Sequence, residues 1–167
     1  MSDIAIELGA AEFICDYVHV PEHSFPDPVI EITSVVEWLS KEGKDWGLDG
    51  NSIVIGGASA GASVSFGVAF ELCSHRPALI KGLVSIYGVL DDNLHSDSMK
   101  ELGNGDFIFD VNYVSQVYSD YVQDSDRNDP RAFAVKGDVT RLPSAFIAAA
   151  ELDPIRDESK KLAKIME

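Results

Sequence analysis

A glycine-rich segment between an apolar run and a helical run constrains the fold of this chain more than any other feature. The apolar run ends at Ile55, and Gly56-Gly57-Ala58-Ser59-Ala60-Gly61-Ala62 follows it. A run with helical periodicity then reaches Cys73. Small residues at such a point let a helix pass close to the strand that precedes it. The segment therefore predicts a strand and a helix packed side by side.

Short apolar runs alternate with longer amphipathic segments along the rest of the chain. The runs are apolar throughout, which is typical of strands covered on both faces, and helical crossovers between strands require a parallel sheet. The predicted fold class is therefore α/β, a three-layer α/β/α sandwich with a mainly parallel sheet. We predict strands at 12–18, 52–55, 82–87 and 144–150. We predict helices at 29–41, 60–73 and 109–122.

The size and charge of the chain exclude several classes of function. A chain of 167 residues with 46% apolar residues can form a single domain, 1–167, with a full core. Its 28 acidic and 13 basic residues give a net charge of -15, which repels phosphate backbones, so no nucleic-acid partner is expected. No apolar stretch is long enough for a membrane span, and the start lacks a basic flank, so we expect a cytoplasmic protein.

Neither the cysteines nor the acidic loops indicate a bound metal. Cys15 and Cys73 lie in apolar contexts without metal-ligand spacing, and we expect both to be buried thiols. The loop at 123–130 has the acidic spacing that opens a calcium-binding loop, but Asp129 stands where that loop needs glycine. No metal and no cofactor are expected.

The glycine-rich segment contains the pattern Gly-x-Ser-x-Gly, with Ser59 between Gly57 and Gly61. A serine between a strand and a helix in this pattern is held on a sharp, strained turn with its hydroxyl above the sheet. The N–H of Ala60 would then face an oxyanion. A purely structural turn and a phosphate-binding loop are the alternatives, but no Lys-Ser or Lys-Thr follows the glycines. We predict that Ser59 is a nucleophile.

A second polar residue, Asp153, follows the last predicted strand. The carboxyl ends of parallel strands meet at one edge of a sheet, so Ser59 and Asp153 are expected at the same edge. That is the arrangement of a nucleophile and the acid of a catalytic triad. Asp153-Pro154 equally suits the start of a helix, with Asp as the cap and Pro in the first position. The residues alone leave these two roles open.

Three motifs together resemble the hormone-sensitive-lipase-like branch of the α/β-hydrolase superfamily. They are Asp16–Pro26, which contains Pro-Glu-His-x-Phe-Pro, the Gly57–Gly61 segment, and the Asp-Pro-x-x-Asp-Glu that begins at Asp153. Their order and spacing match over nearly the whole chain. The resemblance implies an α/β-hydrolase fold and hydrolysis of small acyl esters. It also implies Ser59 as the nucleophile, the Ala60 N–H as an oxyanion donor and Asp153 as the acid that orients a histidine.

Two parts of that family's site are missing from the sequence. The His-Gly-Gly-Gly motif, which supplies further oxyanion donors, is absent, and no histidine follows Asp153. The histidines present are His19, His23, His75 and His95. By the resemblance His23 is structural, so no catalytic histidine is expected in this chain. We therefore expect an incomplete α/β-hydrolase domain that is nearly inactive alone and that self-associates through an exposed sheet edge.

Other functions and other roles stay open. The chain could be a non-catalytic protein that binds a small ligand on the same scaffold, or a half-enzyme that a second polypeptide completes. The aromatic residues at 109–122 suit core packing better than an acyl pocket. Trp38 and Trp46 are expected to be packing residues, and His75 is expected to be a cation at a helix end.

Overall fold

The computed structural model describes residues 2–167, apart from the side chain of Ser2. Within these residues, helices precede and follow each strand of one parallel sheet, and this confirms the predicted α/β class. The strands are β1 (Ile53–Ala58), β2 (Ile80–Ile86) and β3 (Ala145–Ala148). The helices are α1 (Ser2–Leu8), α2 (Asp27–Glu42), α3 (Ala60–Cys73), α4 (Asp97–Leu102), α5 (Val111–Tyr121) and α6 (Arg156–Met166). Short 3-10 turns occupy Gly43–Trp46, Asp124–Asp126, Ala134–Lys136 and Val139–Arg141.

The strands lie in the order β1-β2-β3, and their register brings their last residues together. Ala58 of β1 lies opposite Ile86 of β2, which lies opposite Ala148 of β3. Because the three strands run in the same direction, the residues that follow them emerge at one edge of the sheet. We call this the carboxyl edge, and it is where ligands bind in parallel α/β sheets.

The two faces of the sheet are covered differently. Gly57 of β1 pairs with the fully buried Ser85 of β2 and touches the backbone of α3 at Gly61, so α3 covers this face. On the opposite face Val54 and Phe146 are 62% and 63% exposed. Within residues 2–167, therefore, helices cover the α3 side, and no helix covers Val54 and Phe146.

Helix α3 lies at the centre of the covered side. Every residue from Ala62 to Phe70 is buried. Gly67 lets a neighbouring loop come close, because a Cβ at this position would lie 2.5 Å from the carbonyl oxygen of Arg131 and 2.8 Å from Cγ2 of Val29. Val29 belongs to α2, which packs on the outer side of α3. The helix that begins after Ser59 is thus held from several directions.

Most predicted elements are confirmed. The helix predicted at 60–73 has the bounds of α3, the one at 29–41 lies within α2, and the one at 109–122 contains α5. The strands predicted at 52–55, 82–87 and 144–150 overlap β1, β2 and β3. The strand β1 runs further than predicted, through the two glycines to Ala58, because its ladder with β2 continues to that residue.

The strand predicted at 12–18 is wrong. Residues 10–19 have no regular secondary structure, and Ile14 is 80% exposed. The N–H of Val18 donates to the side chain of Glu31 at 2.8 Å instead of to a strand. A strand is held by hydrogen bonds to a neighbouring strand, and no described strand lies beside this segment. The apolar run has the residue composition of a strand, but no described strand is beside it to accept and donate its hydrogen bonds.

The first helix and two surface positions add apolar groups to the exterior. In α1 the side chains of Ile4, Ile6 and Leu8 are 62%, 77% and 74% exposed. Trp38 and Trp46 pack edge to face on each other, with ring centroids 6.1 Å apart, and both stay partly exposed.

No helix in residues 2–167 is both long and apolar enough to cross a membrane.

The cysteines are less buried than predicted. Cys15 and Cys73 are both partly exposed, and neither forms a disulfide. Burial, with the nearby Glu31, still raises the pKa of the Cys15 thiol above its ordinary value. The prediction of buried thiols is therefore wrong, because apolar neighbours in the sequence do not ensure a place in the core.

Candidate active site

Ser59 lies at the junction of β1 and α3 in a backbone conformation that residues with side chains rarely adopt. Its φ is 53° and its ψ is -121°. Its N–H donates to the carbonyl of Ile86 at 3.0 Å, and its carbonyl accepts the N–H of Ala62 at 3.1 Å and that of Val89 at 3.3 Å. These bonds tie the strained turn to β2, to α3 and to the segment after β2.

The two glycines of the Gly-x-Ser-x-Gly pattern do different jobs. A Cβ at Gly57 would lie 2.4 Å from the carbonyl carbon and 2.6 Å from the carbonyl oxygen of Gly61. A Cβ at Gly61 would meet only the hydroxyl of Tyr17, at 3.9 Å. The close approach of strand and helix therefore depends on Gly57, and position 61 has room for a small side chain.

The polar groups around Ser59 are available to a ligand. Ser59 makes no side-chain hydrogen bond to cap α3, and the N–H of Ala60 donates to no group in residues 2–167. Ser59 is partly buried, and Ala60 is exposed. The amino end of a helix carries a partial positive charge, so free N–H groups here favour an oxygen that gains negative charge.

Asp153 lies in the loop 149–155 between β3 and α6, which we call the acid loop. It is buried, and its Oδ1 accepts the N–H of Ile155 at 3.0 Å. Its carbonyl accepts the N–H of Arg156, also at 3.0 Å. Its Oδ2 accepts no hydrogen bond from the described part of the chain. One carboxylate oxygen thus forms the turn that leads into α6, and the other is free for a further donor.

Ser98 of α4 holds the acid loop in place. Its buried hydroxyl donates to the carbonyl of Pro154 at 2.8 Å, and its N–H donates to Oδ2 of Asp157 at 2.8 Å. Arg156 donates to the carbonyl of Glu151 at 2.9 Å. Burial opposes the ionisation of Asp157, but the Ser98 N–H and the Arg156 guanidinium hold its pKa below the usual range.

Glu158 of α6 is a buried carboxylate that fastens the segment after β2. Its Oε2 accepts the N–H groups of Leu90 at 2.7 Å and Asp91 at 2.9 Å, and its Oε1 accepts the Tyr118 hydroxyl at 2.5 Å. Burial raises the pKa of Glu158 to about 8, although the three donors lower it; nearby Asp91 also raises it. These partners are 40 to 68 positions away in the sequence, so no local pattern could have revealed the cluster.

Tyr87 is a site residue that the sequence did not indicate. It directly follows β2 at the carboxyl edge, and its N–H donates to the carbonyl of Ala148 at 2.7 Å. Its φ is 42°, and its side chain is 43% exposed. Since β2 lies between β1 and β3, Tyr87 stands between the strand ends that lead to Ser59 and to Asp153. Nothing in the sequence signals a left-handed tyrosine.

The histidines do not join this arrangement. Within residues 2–167 no histidine hydrogen-bonds to Ser59 or Asp153. Three of them lie near surface carboxylates, at 3.8 Å from Asp16, 3.1 Å from Asp27 and 3.4 Å from Glu37. The histidines with exposed side chains are His19, His23, His75 and His95.

The aromatic residues of α5 divide between core and surface. Tyr118 is 2% exposed and packs against Phe133, with ring centroids 5.6 Å apart. Tyr113 is 54% exposed and stacks on Phe109 at 5.0 Å. Core packing, the favoured interpretation of this segment, therefore holds for Tyr118 and not for Tyr113.

The acidic loops are paired with basic side chains. Asp124 accepts a hydrogen bond from Arg127 at 3.0 Å, and Asp129 accepts one from Arg131 at 2.7 Å. In the described range, no three His, Cys, Asp or Glu side chains are grouped so that they could hold a metal ion. The acidic side chains of these two pairs are therefore explained by ion pairing with arginines.

The sequence matches a family and several characterised relatives. A family model described as alpha/beta hydrolase fold matches residues 1–167. The ethyl acetate hydrolase of Pseudomonas putida is 26% identical over 168 residues, which cover 99% of this chain and 52% of the relative. Esterase LipI of Mycobacterium tuberculosis is 27% identical over 169 residues, which cover 97% of this chain and 51% of the relative. The chain thus spans about half the length of the curated relatives it matches.

The structure resembles solved esterases over nearly all of this chain and about half of each of theirs. Carboxyl esterase 2 from Tuber melanosporum matches with a TM-score of 0.87 and 26% identity, over 99% of this chain and 56% of that one. The esterase of Pyrobaculum calidifontis matches with a TM-score of 0.89 and 26% identity, over 98% of this chain and 54% of that one. The sheet, α3 and the acid loop described above are therefore elements of a known architecture.

Proposed function

The chain belongs to the alpha/beta hydrolase fold family, and we propose on this basis that it is a carboxylic ester hydrolase with Ser59 as its nucleophile. The observation that carries the proposal is the backbone of Ser59, which holds a serine at φ 53° between β1 and α3. Such a conformation is costly for any residue except glycine and is found mainly at functional sites. The relatives named above are ester hydrolases, which supports small acyl esters as the substrate class.

The proposed reaction proceeds through an acyl-enzyme. The Ser59 hydroxyl gives its proton to a base as its oxygen attacks the acyl carbon, the N–H of Ala60 donates to the oxyanion, and the base returns the proton to the leaving alcohol. Water then attacks the acyl carbon, and Ser59 regains its proton as the acid is released. Asp153 Oδ2 would accept the N–H of a histidine that serves as the base.

That base is the missing part of the proposed site. None of the described histidines hydrogen-bonds to Ser59 or Asp153, and loss of a triad member lowers the rate by several orders of magnitude. We therefore propose that the 167 residues hydrolyse esters slowly or not at all by themselves. A histidine from another polypeptide segment would complete the site. The single domain and the cytoplasmic location remain predictions from the sequence.

A small-ligand-binding protein is the second candidate, and the free Oδ2 of Asp153 is the observation that favours it. A phosphonate directed at nucleophilic serines separates the two functions. If Ser59 is a nucleophile, the phosphonate labels any longer product of the same gene that also carries the base, and Ser59→Ala abolishes the labelling. Ser74→Ala changes an exposed serine and serves as the matched control. Saturable ligand binding by that longer product without labelling would contradict the nucleophile.

The direct test is the hydrolysis of p-nitrophenyl acetate by this chain, by Ser59→Ala and by any longer product of the same gene. We expect turnover by the longer product and almost none by the 167 residues. If the short chain hydrolyses the ester and Ser59→Ala does not, the proposal of a missing base is wrong. Equal hydrolysis by the chain and by Ser59→Ala would contradict the serine mechanism.

Self-association is a further property that we propose for the isolated chain. Val54 and Phe146 are exposed on the uncovered face of the sheet, and β1 has no described neighbour on its outer side. Unpaired strand edges and exposed apolar faces promote association. Sedimentation should show a mass that rises with concentration, and Phe146→Ser should reduce that rise while leaving the unfolding free energy almost unchanged. A concentration-independent monomer would contradict this proposal.

A further inference from the structure

A groove at the amino edge of the sheet, where the strands begin, has cations as its only charged side chains. It has a volume of about 290 Å³ and lies beside the residues that lead into β2 and β3. Among residues 2–167, its charged lining consists of Arg76, Lys81 and Arg141. We call it the basic groove. Because the whole chain has 28 acidic and 13 basic residues, a groove with cations alone requires an explanation.

The cations of the basic groove are not neutralised by the protein. Within residues 2–167, none of the three forms an ion pair with an Asp or Glu, and their side chains bond to neutral groups instead. Most of the other lysines and arginines in this range do form such pairs. These paired cations are Lys100, Arg127, Arg131, Lys136, Arg156, Lys160 and Lys161. The basic groove therefore concentrates unpaired positive charge on an acidic protein.

Neutral acceptors hold the three side chains in place. Arg76 donates to the Ser40 hydroxyl at 2.8 Å, and Arg141 donates to the carbonyl of Cys73 at 2.9 Å. Lys81 donates to the carbonyl three residues before it at 2.7 Å. A guanidinium and an ammonium each carry several N–H donors. Most of these donors have no acceptor in the described residues, so they are free for a ligand.

The neighbouring cavity shows the opposite arrangement. It has a volume of about 350 Å³ and shares Cys73 and Arg141 with the basic groove. Carboxylates also line it, and Arg131 pairs with Glu71 at 2.6 Å and with Asp129 at 2.7 Å. Its charges are thus largely satisfied within the chain, whereas those of the basic groove are not.

We propose that the basic groove binds the phosphate group of a small soluble ligand. Its guanidinium and ammonium groups are the donors that phosphate oxygens prefer, and a guanidinium can bind two of these oxygens at once. The partly buried Leu142 and Pro143 also line the groove and would contact the organic part of the ligand. The net charge of -15 repels an anionic membrane, which favours a soluble ligand over a lipid headgroup. This proposal does not depend on ester hydrolysis by Ser59.

The experiment is isothermal titration calorimetry with inorganic phosphate at constant ionic strength. It uses the 167-residue chain and any longer product of the same gene. We expect saturable binding, and Arg141→Gln and Lys81→Gln should each raise the Kd about tenfold, because each removes a charge-assisted hydrogen bond to phosphate. Lys81 is exposed, so Lys81→Gln keeps the test valid if Arg141→Gln fails to fold.

Lys100→Gln is the matched control for net charge. It makes the same change in charge as Lys81→Gln, but it lies in α4, which contacts the acid loop through Ser98 at the carboxyl edge. Salt screens charges at that separation, so the Kd should change by less than about twofold. Equal weakening by Lys100→Gln and Lys81→Gln would show a general charge effect and overturn the proposal.

Vesicles of phosphatidylcholine with phosphatidic acid test the other source of the phosphate group. Saturable binding of inorganic phosphate without retention on these vesicles supports the proposal. Retention on the vesicles that Lys81→Gln abolishes, without binding of inorganic phosphate, would overturn the soluble ligand in favour of a lipid headgroup. Absence of saturable binding to either probe would overturn the site. Binding by the 167 residues that is lost in a longer product would overturn it for the whole protein.

Discussion

The segment around Ser59 and the acid loop lie at the same edge of the sheet but are held by different means. Backbone groups fix the Ser59 turn: its own N–H and carbonyl bond to β2, α3 and the segment after β2, and Gly57 touches Gly61. Side chains fix the acid loop, chiefly Ser98, which is 56 positions from the carbonyl that it binds, and Arg156, which directly follows the loop. One half of the candidate site is thus held by backbone groups, and the other is held by side chains.

The largest effect should come from breaking the backbone contact at the Ser59 turn. A Cβ added by Gly57→Ala would lie 2.4 Å from backbone of Gly61, which cannot move without shifting α3. We expect a loss of about 3 kcal/mol in the free energy of unfolding, as in other overpacked sites. Urea denaturation followed by circular dichroism measures it.

Gly61→Ala is the control for that substitution. Its Cβ would meet only the Tyr17 hydroxyl, at 3.9 Å, and alanine favours a helix more than glycine does. The unfolding free energy should stay within about 1 kcal/mol of the original value. Equal losses in the two variants would show that the contact at Gly57 is not what holds the turn.

The second largest effect should be a change in the free energy of unfolding with pH, caused by Glu158. Its pKa is about 8 in the folded chain against an ordinary 4.5, so folding favours the protonated carboxyl. This contribution to stability is complete below pH 4.5 and is lost as the pH rises toward 8. Between pH 6 and 8 we expect a fall of about 2 kcal/mol in the unfolding free energy.

The variant Glu158→Gln should remove this pH dependence, because the amide has the same shape and no charge to lose. Denaturation of both proteins at pH 6, 7 and 8 gives a difference curve in which groups other than Glu158 cancel. A difference that stays constant over this range would contradict the raised pKa. Tyr118→Phe removes one donor to the carboxylate and so raises the folded pKa of Glu158 further, which should make the fall continue to a higher pH.

The smallest effect should come from the acid loop. Ser98→Ala leaves the buried carbonyl of Pro154 without its donor, at an expected cost of about 1 kcal/mol. The exposed Ser74 donates to the carbonyl of Glu71 at the same distance of 2.8 Å, so Ser74→Ala is the control and should change stability by less than about 0.5 kcal/mol. Equal effects in thermal denaturation would argue that Ser98 does not hold the loop.

The difference between the Ser59 turn and the acid loop explains which features of the fold and of the candidate site could be predicted from the sequence. The turn at Ser59 and the helix after it are encoded by adjacent residues, so the Gly-x-Ser-x-Gly pattern indicated both. Asp153 was found because it follows a strand. The helix α6 begins at Arg156 after the cap residue Ile155, so Asp153 is not the cap of that helix, and its role as the triad acid stays a prediction. Positions that depend on local pattern were predictable from the sequence.

Features that depend on distant partners were not predictable. The segment 12–18 has the composition of a strand, but strand formation requires a neighbour that no local pattern reveals. The Glu158 cluster joins residues up to 68 positions apart, and the left-handed Tyr87 follows from the tight packing of Gly88 against Ser85. Each of these is a property of the assembled fold.

The complete burial of α3 limits how its sequence can vary. From Ala62 to Phe70 no residue faces solvent, so a charged side chain at any of these nine consecutive positions would have to leave water without a partner. In a library of all single substitutions, this helix should tolerate almost no polar replacement, whereas α1, with its exposed apolar side chains, should tolerate most. The helix that directly follows Ser59 would then be among the slowest-changing parts of the molecule over evolutionary time.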